Sequence, residues 1–132
     1  MDYKLKARFL SLYSMILADG IIDAREMETL YRIGREEYEI SQKEIDLAIK
    51  ESGTPFHCPE DLPGKISFLY QMSEIALADN QLDNSERSLI CKYAKRMGFI
   101  EENINDIVDY LLQQAKAHVP VSDVIDNIMK EE

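Results

Sequence analysis

The chain has 132 residues, 45% of them hydrophobic, and a formal charge of −10. That length and apolar content fit one domain with a real core. The acidic balance argues against nucleic acid, whose phosphates demand lysine and arginine, and against anionic membrane surfaces; it favours cations or basic partner surfaces, and also serves solubility.

Cys58 and Cys91 are the only cysteines. Without metal-ligand spacing they read as free thiols of a reducing cytoplasm. The opening Met1-Asp2-Tyr3-Lys4-Leu5-Lys6 starts an amphipathic pattern rather than a signal peptide. No apolar run approaches the roughly 20 residues needed to span a bilayer, so no membrane insertion is expected.

Helical spacing of Leu5, Phe9, Leu12, Ile16 and Leu17 predicts a first helix over 2–18, ended by Gly20 in a left-handed conformation. A second helix starts at Asp23 as N-cap, with Glu26 placed for a capping box and Ile22 and Met27 spaced for a hydrophobic staple. Ser41 and Glu44 predict another capping box and a short helix with Ile45, Ala48 and Ile49 inside. The segment 52–59, with Gly53, Pro55 and Pro59, reads as a surface connection between two halves.

Residues 61–78 predict a helix apolar on most sides, hence central. Asn80 stands where Gly20 stood, and asparagine is the next best residue for a left-handed position. Asp83 and Glu86 repeat the capping box. Leu89, Ile90, Tyr93, Ala94 and Met97 face the core, and Gly98 closes that helix. Ile100 aligns with Ile40. Ile104 to Leu112 mark a longer helix, and His118-Val119-Pro120 interrupts before a last helix with Ser122 as a candidate cap. No strand shows sustained alternation. The expected fold is all-α, about seven helices in a single domain over 1–132, with internal repeats near 5–50 and 65–110.

The repeat is carried by one acidic phrase written twice, sixty positions apart. Ala18-Asp19-Gly20-Ile21-Ile22-Asp23 leads to Glu26; Ala78-Asp79-Asn80-Gln81-Leu82-Asp83 leads to Glu86. Capping and the helix dipole account for Asp23, Glu26, Asp83 and Glu86. Asp19 and Asp79 fall at helix C-termini, where the dipole disfavours negative charge. They either bond the backbone of the turn that follows or join Asp23 and Asp83 around a shared hard cation such as Ca²⁺ or Mg²⁺. The phrase is not an EF-hand: counted from Asp19, position 3 is Ile21, position 6 is Ala24 and position 12 is Leu30.

Other chemistry is sparsely signalled. His57-Cys58 are adjacent residues without a third orienting group, a poor arrangement for nucleophile and base. His118 beside its proline reads as a surface residue. Two histidines and two scattered cysteines give no structural zinc pattern, and there is no phosphate-cradling glycine loop. Glu36-Glu37 and Glu101-Glu102 read as solvated helix faces.

The twin phrases, with Met97-Gly98-Phe99 after the second, resemble the TerB-like family, named for tellurite-resistance proteins and related to an N-terminal domain of a membrane-anchored co-chaperone. The resemblance runs over most of residues 5–115 and departs at Asn80, where the family has glycine. It implies an all-helical fold of about seven helices, bacterial origin, a link to stress response, and a metal site on Asp19, Asp23, Glu26, Asp79, Asp83 and Glu86. The expectation is therefore a non-enzymatic interaction module with a protein partner, a homodimer being one option, and with Ca²⁺ or Mg²⁺ at the twin turns. The alternative is a metal-dependent enzyme using the same carboxylates to activate water.

Overall fold

Seven α-helices and no strand make up the described part of the computed structural model, which covers residues 2–18, 22–51, 56–78 and 82–130. They are α1 (Tyr3–Ile16), α2 (Ala24–Tyr38), α3 (Gln42–Lys50), α4 (Leu62–Ala76), α5 (Asn84–Arg96), α6 (Glu101–Lys116) and α7 (Val121–Lys130). The first three helices start at Tyr3, Ala24 and Gln42 and the next three at Leu62, Asn84 and Glu101, offsets of 59 or 60 residues. Helix α7 has no counterpart.

Each start has a local cause. Asp2 Oδ1 accepts from the Leu5 N–H at 2.8 Å, and Asp61 Oδ1 accepts from the Gly64 N–H at the same distance, with Pro63 in the first turn of α4. Ser41 and Glu44 form the expected capping box. Pro120 precedes α7, and its carbonyl accepts from Asp123 and Val124, so Ser122 lies inside the helix rather than capping it.

The ends depart from expectation. Helix α2 stops through Glu39 at φ 54°, a left-handed residue without glycine, and the Ile40 N–H then reaches back to the Gly34 carbonyl. Helix α5 stops two residues earlier in the repeat frame, at Gly98 with φ 91°. The sixty-residue alignment therefore slips there: Ile40 is buried at 6% exposure while Ile100 is 65% exposed, and Phe99 packs on the core instead. Ile22 is exposed too, so the staple with Met27 buries little.

Helix α4 is the centre. It touches α1, α2, α5, α6 and α7, and nine of its residues from Ile66 to Ala76 are buried. Phe9, Leu12 and Met15 of α1, Leu30 and Ile33 of α2, Ile90 of α5 and Val108 and Leu111 of α6 complete the core. The connection between the halves is also anchored: the Phe56 ring packs 5.2 Å from Tyr93 and 5.9 Å from Phe68, with the Arg96 guanidinium 4.4 Å over its face.

A polar brace ties α1, α2 and α4. Arg8 donates to Tyr38 Oη at 2.8 Å and Gln71 Oε1 at 3.0 Å, and lies over the Phe68 ring. The buried Gln71 donates onward to Tyr38 Oη at 2.8 Å and Glu37 Oε2 at 2.7 Å. Every one of those side-chain groups keeps its water-replacing partner, which is the condition for polar groups inside a core.

Candidate functional site: the twin acidic turns and a groove between helices

At the twin turns the capping residues stand where the motif puts them. Asp23 Oδ1 accepts from the N–H groups of Arg25 at 2.7 Å and Glu26 at 3.3 Å, and Arg25 places its guanidinium 3.6 Å from the other oxygen. The Arg25 N–H above all holds the Asp23 carboxyl below the usual carboxylate range. Asp83 accepts from the Ser85 N–H at 2.7 Å and from the Ser85 hydroxyl, and these bonds, the hydroxyl first, hold it low as well. The Asp83 N–H donates to Glu86 Oε1 at 3.3 Å, completing the box.

The glutamates are the unexpected part. Glu26 is 1% exposed and Glu86 2%, whereas Glu44, at the same capping position of α3, is exposed. Capping does not require burial, as Glu44 demonstrates. The phrase thus places an acidic group inside the domain twice, at the first turn of α2 and of α5, where the helix dipole favours negative charge.

Asp19 and Asp79, with Gly20 and Asn80, lie outside the described residues. Among the described residues no three His, Cys, Asp or Glu side chains gather closely enough to hold an ion. Asp23, Glu26, Asp83 and Glu86 alone therefore make no donor set, and a cation at either turn would depend on Asp19 or Asp79. The other singled-out groups are apart from these turns. His57 packs its ring 5.7 Å from Tyr3, Cys58 Sγ donates to the Pro59 carbonyl, and His118 is exposed at φ 57° between α6 and α7.

A second feature has no motif behind it. A half-open groove of about 980 Å³ runs between α2 on one side and the α6–α7 elbow on the other, with α4 as its floor. Arg32 of α2 spans to Glu74 of α4 at 2.8 Å and to Glu36 at 3.0 Å. Burial pushes the Glu74 carboxyl up, against the Arg32 guanidinium pulling it down. Tyr70 donates its hydroxyl to the Val119 carbonyl, fixing the elbow to α4, and burial with the nearby Glu74 charge raises the phenol to about 12.

The groove has two different ends. Glu37 lies level with Gln71, and Arg32 level with Glu74, so α2 and α4 run antiparallel along it. Glu36, Glu37 and Tyr70 stand at one end. Thr29, Leu77, Ala78 and Leu82 stand at the other, where Leu82, from the second acidic phrase, is 39% exposed. Glu36 and Glu37 are exposed, as a solvated face should be, but nothing local in the sequence singles out Arg32 and Glu74. Their signal is a pairing 42 positions apart, which no local pattern carries.

Compared with protein-family models, characterised proteins and solved structures, the chain gives no match. No helix among the described residues is long and apolar enough to cross a membrane.

Proposed function

We propose that this chain is a non-enzymatic helical interaction module, a TerB-like domain serving a cytoplasmic bacterial stress-response or tellurite-resistance-type assembly. The observation that supports it most directly is the half-open groove over α4, large enough for side chains of another molecule and walled by helices. A photo-crosslinking residue at Leu82, in the groove, and another at Ile22, on the first acidic phrase, tests the reading in cells. The expected result is a crosslinked second polypeptide from one of the two positions. No crosslink from either, with the protein folded and abundant, removes the reading.

A second reading is favoured by the burial of Glu26 and Glu86: a divalent cation, Ca²⁺ or Mg²⁺, at the twin turns, with Asp19 and Asp79 as its further ligands. Thermal unfolding of chelator-stripped protein with each ion added decides it. An ion at 100 times its Kd stabilises by about 2.7 kcal/mol, which for a chain of this size raises Tm by roughly 10 °C. That rise, lost in the Asp19→Asn, Asp79→Asn double variant, is the expected outcome of a site. No shift with any ion leaves the carboxylates as caps, and the metal-dependent enzyme falls with the cation.

A further inference from the structure

We infer that the groove over α4 takes a short helical segment of a protein partner, with an apolar side chain and a basic side chain two turns apart. This rests on the interaction-module reading and gives the partner its chemistry. The dimensions set the length. Thr29 to Glu37 on α2 spans eight residues, or about 12 Å at 1.5 Å per residue. Two helical turns of an occupant fill that length.

The lining sets the side chains and their spacing. At one end Leu77 and Leu82 offer apolar surface. At the other stand Glu36 and Glu37, with Glu74 between the ends; Arg32 bridges Glu36 and Glu74, and Glu37 accepts from Gln71. A carboxylate accepts about four hydrogen bonds, so these three keep acceptors beyond those used by Arg32 and Gln71. A further cation is the group such a wall attracts, and the net charge of −10 adds long-range attraction for it. Lys116 stands on the opposite, α6 side, which confines the occupant's basic side chain to the α2 wall. Leu77 lies six residues along α4 from Gln71, the level of Glu37, which is about 9 Å. Residues seven apart on a helix are separated by about 10.5 Å on the same face, close to that span.

The pattern also excludes. An acidic occupant meets three carboxylates, and the same composition with its cation on the helix face opposite the leucines cannot reach both ends of the groove at once. Spacing and face therefore separate recognition from general attraction between an acidic protein and a basic peptide.

The probe is a capped, fluorescein-labelled helical peptide with leucines in its first turn and arginine seven positions later, on an alanine–glutamine background. Its controls are the same composition with arginine moved two positions nearer, to the opposite face of the helix, and the arginine-to-glutamate form, all measured by anisotropy at physiological salt. The expected result is saturable binding of the probe, with both controls at least tenfold weaker. The Glu36→Gln, Glu37→Gln variant should weaken it tenfold or more, and so should Leu82→Asn. All three substituted side chains are exposed, and unchanged circular dichroism confirms the fold. Equal binding of the opposite-face peptide, no binding, or indifference to the variants overturns the inference. A crosslink from Ile22 without one from Leu82 would overturn it while leaving the interaction module standing.

Discussion

Glu26, Glu44 and Glu86 occupy one position in three helix starts, yet two are buried and one is exposed. Spacing names the position, because a capping box needs only a residue three beyond the cap. Burial depends on what packs over that residue, which the spacing does not encode. The caps themselves carry a pH signature. Asp23 and Asp83 are held below the ordinary carboxylate value of 3.8, so their stabilising contribution is complete above it and is lost as pH falls through the lower folded value. Asp83→Asn keeps a capping oxygen without a titrating group, and should unfold near the parental Tm at pH 7 with a shallower acid decline. Asp83→Ala removes the cap and should lower Tm by a few degrees at neutral pH. Thermal scans from pH 7 to pH 3 check both; an Asp83→Ala protein that matches its parent throughout would mean that the cap contributes nothing.

At the scale of elements, helix beginnings were more legible than helix ends. Asp23, Ser41 and Asp83 announce their helices because a short polar side chain has one favourable use before an apolar run. Glu39 and His118 hold left-handed backbone where glycine would be expected, and neither residue type advertises it. Close packing between elements is likewise silent in sequence. Gly34 reads as an unfavourable residue within α2, but a Cβ there would stand 2.5 Å from Ile45 Cδ1 and 3.3 Å from Phe9 Cζ. Alanine gains about 1 kcal/mol of helix propensity and meets an overpacking cost of about 1–3 kcal/mol. Gly34→Ala should therefore lower stability in urea or leave it level, against the propensity scale. Adding Ile45→Val, which removes the colliding methyl, should recover much of any loss; a Gly34→Ala protein clearly more stable than its parent would contradict the close α2–α3 approach.

The architecture of the whole molecule was readable because its signals are periodic and repeated. Sixty-residue spacing of the acidic phrase and apolar faces at helical period are properties of the chain alone. The seven helices and the central α4 follow from them. The groove was not readable, since it is made by elements that meet only after folding: Arg32 with Glu74, and Tyr70 with Val119. One of its walls also differs in kind from the other. Helix α2 packs on α1, α3 and α4, whereas α7 has its principal contact with α4 alone, and the Tyr70 hydroxyl holds the elbow before it. Amide exchange should follow that asymmetry, slowest along α4 and fastest, among the helices, in α7. An occupant that bridges the two walls would slow exchange in α7 most, so the last helix would report a partner's arrival by how seldom it opens.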